Sequence, residues 1–186
     1  NGVPVLPYVD DFLLALDPDI QVGEKVLLFV ADLLEEPGLR RAKHKGVWHP
    51  VRALAHLGFQ IDLDAGTVRP TREKVLKMND EAKKFIKQAA GAKWRTTKRK
   101  IARLCGVAMA MKLGAPDITL RTRQLYNCIN ATSGWDAPIT LTGDAITEAT
   151  WMRAASYDDP DLTGEDIWRP RTTSSLTTDA SMEGWG

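Results

Sequence analysis

LPYVDDFLLAL, residues 6–16, sets two adjacent carboxylates, Asp10 and Asp11, inside an otherwise apolar run. Val3-Pro4-Val5-Leu6 and Phe12-Leu13-Leu14-Ala15-Leu16 read as the arms of a β-hairpin, with Tyr8-Val9-Asp10-Asp11 between them. Short apolar runs are ambiguous between strand and helix, but the prolines at 4 and 7 exclude a helix in the first arm. A sharp turn lifts consecutive side chains out of the sheet, so both acids can approach one point. Bare, they repel. A hard divalent cation such as Mg²⁺ removes that penalty, because it binds through one or two carboxylates together with substrate phosphates. A polar β-turn, where Asp is common, also accounts for a bare Asp-Asp pair. The tyrosine before it and the long apolar run after it are flanks that a mere surface turn does not need, and both readings stay open on these residues alone.

The chain has 186 residues, enough for one mid-sized domain or two small ones. A hydrophobic content of 44% excludes disorder throughout. The two cysteines, Cys105 and Cys128, have no paired spacing, which fits a reducing compartment. No apolar run is long enough to span a bilayer and no signal peptide is evident. The expectation is therefore a soluble intracellular protein, cytoplasmic or nuclear, with no membrane partner. The chain opens on Asn1 rather than Met and stops at SMEGWG, just after strand-like residues. Neither end reads as a domain edge, so a piece of a longer protein is expected.

A net charge of +1 averages over two opposed blocks. Between Ala82 and Pro116 lie Lys83, Lys84, Lys87, Lys93, Arg95, Lys98, Arg99, Lys100, Arg103 and Lys112, and no acid. From Asp136 onward ten acids face three bases, net −7. A basic block of this kind is an electrostatic footprint for a polyanion, or else a solvated helix face.

Along the chain, Asp17-Pro18-Asp19 ends the hairpin and supplies an N-cap. Val22, Val26, Phe29, Val30, Leu33 and Leu34 follow at helical spacing until Pro37-Gly38. Residues 47–69 read as short strands, with Ala55 to Asp62 alternating in part and Asp64-Ala65-Gly66-Thr67 as a turn. Pro70 and Thr71 start a helix whose apolar stripe is Val75, Met78, Ala82, Phe85, Ile86 and Ala89, ending at Gly91. Thr96 or Thr97 caps a second, with Ile101, Leu104, Cys105, Ala108 and Met111 inward, closed by Gly114-Ala115-Pro116. Residues 118–131 form a third helix, and Thr142 caps a fourth that runs to about Ala155. A polar linker from Tyr157 to Thr173 precedes a strand from Ser175 to Asp179. The fold class is α+β.

Tyr8-Val9-Asp10-Asp11 between apolar arms resembles the YxDD signature of reverse transcriptases. Three further matches follow in order. Gly38-Leu39, Lys45, Pro50 and Leu57-Gly58-Phe59 resemble the stretch that ends in the family's primer-grip segment. Ile61-Asp62, Pro70, Glu73-Lys74 and Lys77 resemble the start of its thumb. Thr178-Asp179-Ala180-Ser181 with Gly184-Trp185-Gly186 resembles the first catalytic strand of a ribonuclease H domain. The LGF-x-ID and TDAS-x-x-GWG segments look most like DIRS-like retroelements, which pair a reverse transcriptase with a tyrosine recombinase.

The resemblance implies a partial polymerase palm over 1–69, a basic helical thumb over 70–135, a connection or linker over 136–173 and the start of ribonuclease H over 174–186. It implies primer extension by an RNA-directed DNA polymerase on a template–primer duplex of RNA or DNA, using dNTPs and two Mg²⁺ ions (Mn²⁺ as a substitute), within a retroelement polyprotein. Asp10 would ligate the metals with Asp11 beside it. Tyr8 and Val9 would lie near the primer end and nucleotide. Leu57, Gly58 and Phe59 would hold the primer backbone, with Gly58 giving nucleic acid close access to the main chain. Lys45 would neutralise pyrophosphate, unless it is an ordinary surface lysine. Lys83, Lys84, Lys87, Lys93, Arg95, Lys98, Arg99, Lys100 and Arg103 would contact phosphates without reading sequence. Trp94 would stack or join the core. Asp179 would be the first metal ligand of the ribonuclease H site.

The family's polymerase centre needs a further aspartate upstream of the hairpin, and its ribonuclease H site needs acids after Asp179. These 186 residues alone are therefore expected to carry neither activity. A non-catalytic nucleic-acid-binding module and an inactive retroelement remnant are the alternatives. Gly46, Arg52 and His56 depart from the family pattern and favour the latter. His44, His49 and His56 are not spaced as a zinc site, and neither a Ser-His-Asp set nor a phosphate-cradling glycine loop occurs.

Overall fold

In a computed structural model, which describes residues 3–38, 46–131, 134–167, 180–181 and 184–185, the two apolar arms pair as a hairpin. Strands β1 (Val5–Tyr8) and β2 (Asp11–Leu14) are antiparallel, with Val5 opposite Leu14 and Tyr8 opposite Asp11. The turn is thus tighter than expected. Only Val9 and Asp10 form it, and Asp11 already lies in the second strand.

Asp19 caps α1 (Ile20–Glu35), its carboxylate accepting from the Gln21 amide at 2.9 Å. The inward face differs from the expected one. Gly23, Leu27 and Ala31 are buried, whereas Val22, Phe29 and Leu33 are exposed. The small residues decide this, because Gly23 brings the helix close to Pro50 and Leu16, where a Cβ would lie 3.2 Å from the proline ring.

Strands β3 (Ala53–His56), β4 (Phe59–Asp62) and β5 (Thr67–Pro70) form an antiparallel meander. The run from Ala55 to Asp62 is therefore not one strand. Leu57 and Gly58, at φ 49° and 77°, make a two-residue turn between His56 and Phe59. Positive φ at both central positions is what a type I′ hairpin turn requires, and its twist matches that of the strands. The expected turn after Asp62 is present, with the Asp62 carboxylate accepting from the Asp64 and Ala65 amides. Arg52 pairs with Asp64 across this turn, a local use for that residue.

Thr71 caps α2 (Arg72–Gly91), whereas Pro70, expected with it at the start of the helix, is the last residue of β5. A short strand that the sequence did not reveal, β6 (Arg95–Thr97), leads directly into α3 (Lys98–Met109). The expected third helix is two pieces, a 3₁₀ segment over Pro116–Thr122 and then α4 (Arg123–Asn130). Thr122 marks the break, its hydroxyl bonding back to the Ile118 and Thr119 carbonyls. Strand β7 (Pro138–Thr140) pairs with β6, and Thr142 caps α5 (Gly143–Ala154). A 3₁₀ turn at Pro160–Leu162 precedes β8 (Glu165–Asp166), which joins the meander in the order β3-β4-β5-β8. Strands β9 (Ala180–Ser181) and β10 (Gly184–Trp185) pair antiparallel. The expected strand from Ser175 to Asp179 lies outside the described residues.

One core joins α2, α3, α4 and α5, and Met78, Ile101, Leu104, Ile118, Leu125, Met152 and Leu162 are fully buried in it. Each such side chain contributes about 1.5–3 kcal/mol of burial free energy. Residues 136–162 supply Ile139, Leu141, Met152 and Leu162 to the same core as α2, and the Asn79 amide of α2 donates to the Met152 and Ala155 carbonyls. Glu148 of α5 accepts from the Gln124 and Leu125 amides at 2.8 and 2.9 Å, closing the start of α4 with a carboxylate from another helix. The meander docks through Gly114. A Cβ there would lie 2.8 Å from the Arg69 Cα, and backbone cannot give way as a side-chain tip can. Arg69 in turn stacks on Tyr157 at 3.7 Å and donates to its carbonyl, pinning the return segment to β5.

Burial pushes the Cys105 thiol up to about 12, with the Glu148 carboxylate adding to the effect. The native state therefore holds that proton more tightly than the unfolded chain. Its contribution to stability is complete below about pH 9 and is lost as pH rises toward 12. Thermal melts between pH 7 and 10.5 should show a fall above pH 9 that Cys105→Ala reduces, and the native thiol should resist disulfide reagents.

Candidate metal turn and nucleic-acid interface

The acidic turn is built from strain and exposure. Val9 is β-branched yet sits at φ 57° with 88% of its surface exposed. Positive φ at the first central position alone is the pattern of type II′ turns, which favour Gly there. A branched residue in that region costs about 1–2 kcal/mol, and no burial offsets it here. Val9→Gly should therefore stabilise the hairpin by about 1 kcal/mol, read from amide exchange of the β1–β2 bonds.

Tyr8 and Asp11 are cross-strand partners, so an exposed phenol ring and a carboxylate rise on one face, beside Asp10 at the tip. Asp10 and Asp11 are both exposed. Among the described residues no group of three or more His, Cys, Asp or Glu gathers as a metal site, so these acids stand as a two-carboxylate set. One carboxylate on the turn and one on the first residue of β2 make a pair that suits Mg²⁺, which fills its remaining positions with water and phosphate. Lys45, His44 and Asp179 lie outside the described residues.

The second hairpin carries Leu57, Gly58 and Phe59, and here the structure revises the expected reason for Gly58. The space a Cβ would occupy is filled by Lys74, whose Cε would be 2.3 Å away. The Lys74 ammonium lies 3.7 Å above the Phe59 ring and donates to the Ala110 carbonyl at 3.0 Å. Gly58 thus admits a lysine stem from α2. Leu57 remains 39% exposed at the turn, beside this cation. Burial, and then the neighbouring Lys77 charge, lower the Lys74 pKa. Sequence spacing gave no sign of this contact, because Lys74 is remote from Gly58 along the chain.

From this lysine a basic seam continues between α2 and α3. Lys74 to Ala110 and Glu81 to Arg103 fix the antiparallel register of the two helices. That register sets Lys100 level with Lys84. Lys74, Lys77, Lys84, Lys100 and Arg103 then line the seam with Glu81 as the acid among them. Glu81 accepts from the Arg103 Nε and one Nη at 2.9 and 3.0 Å and pairs with Lys84 at 3.5 Å, and the Arg103 hydrogen bonds lower its pKa first. Three of the expected phosphate-binding residues are therefore ion-paired: Lys84 and Arg103 with Glu81, and Arg99 with Asp136. Lys83, Lys87, Lys93, Arg95 and Lys100 are exposed and make no ion pair with a described residue.

The first turn of α3 is Lys98-Arg99-Lys100, and Thr97 makes no capping side-chain bond. Cations at a helix N-terminus oppose the macrodipole, so this placement concentrates positive potential at the expense of helix stability. Trp94, at φ 62°, is half-buried against the core, and its carbonyl accepts from the Leu141 amide at 3.0 Å.

No helix among the described residues is long and apolar enough to cross a membrane. Compared with protein-family models, with curated proteins and with solved structures, the chain matches none.

Proposed function

We propose that the chain is the primer-handling part of an RNA-directed DNA polymerase of the retroelement reverse transcriptase class, most like the DIRS-like elements, leading into a ribonuclease H domain. The observation that carries this reading is the Tyr8–Asp11 hairpin: exposed Asp10 beside a strained valine on a two-residue turn, with exposed Asp11 opening the second strand. The order of parts supports it, with the Leu57-Gly58-Phe59 turn running through Lys74 into a basic two-helix seam. Asp10 and Asp11 would hold Mg²⁺ or Mn²⁺, which when bound supplies Lewis-acid activation of a primer 3′-hydroxyl and charge neutralisation at the leaving pyrophosphate. Tyr8 and Val9 contact the primer end and the nucleotide. Leu57 and Phe59 position the primer backbone, and the seam binds phosphates irrespective of sequence. The remainder of a polyprotein and a template–primer duplex are the partners this reading assigns.

The test is a Mn²⁺ titration followed at the side-chain carboxyl signals by carbon-detected NMR. Asp10 and Asp11 should broaden at lower Mn²⁺ than the exposed Asp17 and Asp144, and Asp10→Asn should abolish the preference. Uniform broadening of all exposed carboxylates counts against the metal turn.

A non-catalytic nucleic-acid-binding module is the second reading. It is favoured by the core, whose buried cluster runs from Val75 to Leu162 and includes nothing from the acidic hairpin. In that case duplex binding is salt-dependent and indifferent to Asp10→Asn.

A further inference from the structure

Trp135 is 54% exposed, more than Trp48 at 36%, and it is not on a loose loop. Its carbonyl accepts from the Arg99 amide at 3.0 Å, and Ala137 N–H closes a turn onto the Gly134 carbonyl at 3.3 Å. Three residues on, Pro138 enters the β6–β7 ribbon opposite Thr97. Asp136 is locked to Arg99 by two bonds of 3.0 and 3.2 Å, which holds the turn and neutralises the neighbouring acid. The Lys98 ammonium lies 5.3 Å from the indole ring centre. An ordered indole is thus presented to solvent at the basic N-terminus of α3.

We propose that Trp135, flanked by Lys98, is a stacking platform for an unpaired base, so that this corner of the protein takes single-stranded nucleic acid where the seam takes duplex. The proposal rests on the nucleic-acid reading of the basic helices. The chemistry selects the occupant. An apolar partner would have to bury Lys98 and the Arg99–Asp136 pair, which costs desolvation. A base offers a π-face to the indole and a phosphate to the lysine in one ligand, and such stacking tolerates any sequence. An acidic peptide offers the charge without the π-face.

The experiment measures binding of the full 186-residue chain to fluorescein-labelled dT12, to a blunt 12-base-pair duplex and to polyglutamate, by anisotropy at fixed salt. Trp135→Ala should weaken dT12 binding by about 5- to 100-fold and leave duplex affinity within about twofold, while Trp135→Phe keeps most of the dT12 affinity. In the wild type, the Trp135 indole N–H resonance should shift on adding dT12. The substituted side chain is exposed, so an unchanged melting temperature verifies the fold. Equal dT12 binding by wild type and Trp135→Ala overturns the platform and leaves the basic seam standing if the duplex still binds. An equal loss of polyglutamate binding also overturns it, in favour of an acidic peptide partner. A wild type that binds neither strand nor duplex overturns the platform and the nucleic-acid reading together.

Discussion

Charge reversal at Lys84 and Lys100 together should cut duplex affinity by about one to two orders of magnitude at low salt and flatten the salt dependence of log Kd by about two. The register that Glu81–Arg103 and Lys74–Ala110 define sets the two lysines level with each other along the α2–α3 pair. Each phosphate contact releases condensed counterions, so each lost contact removes close to one unit of slope. The fold should survive. Lys84 and Lys100 are exposed, and the one ion pair lost, Lys84–Glu81, is a surface pair worth less than about 1 kcal/mol. Anisotropy titrations from 50 to 300 mM salt read both quantities. An unchanged slope places the duplex elsewhere on the protein.

Ending the chain at residue 135 should abolish cooperative folding of the helices over 70–135. The resemblance puts a boundary there, and the charge changes sign at Asp136. The core crosses it. Ile139, Leu141, Met152 and Leu162 close the buried cluster that Met78 and Leu125 begin. The Gln124 and Leu125 amides lose the Glu148 carboxylate, and the Asn79 amide loses two carbonyls. Four apolar side chains at about 1.5–3 kcal/mol each exceed the lower part of the stability range of a small domain. Circular dichroism melts of 70–135 and 70–167 make the comparison. A sharp transition in the shorter piece would falsify the shared core.

What was legible in the sequence was local. Asp19 and Thr142 were readable as caps because a polar residue precedes an apolar stripe. The stripe Val75, Met78, Ala82, Phe85 and Ala89 was readable because one helix face buries all of it. The acidic hairpin was legible because its prolines excluded the alternative. The failures lie where distant residues decide. Leu57 looks like a strand residue, and only the pairing of His56 with Phe59 forces it into positive φ. The face of α1 was misjudged because Gly23 and Ala31, both buried, carry little hydrophobic signal, and Gly23 is the residue that lets it approach Pro50 and Leu16. Strand β6 is three residues long and forms by pairing with β7 across an intervening pair of helices. Lys74 over Gly58 and Trp135 beside Lys98 are likewise contacts that no spacing rule contains.

The account joins a metal turn to a nucleic-acid seam, and iron-directed cleavage tests that join. The chain is bound to a template–primer duplex labelled at the primer 5′ end, Fe²⁺ replaces Mg²⁺, and ascorbate with peroxide generates hydroxyl radicals at the bound ion. The account predicts strand breaks confined to the last few nucleotides at the primer 3′ terminus, lost in Asp10→Asn and Asp11→Asn while duplex affinity is retained. Breaks spread evenly along the duplex, or breaks at the terminus that persist in both variants, would contradict it.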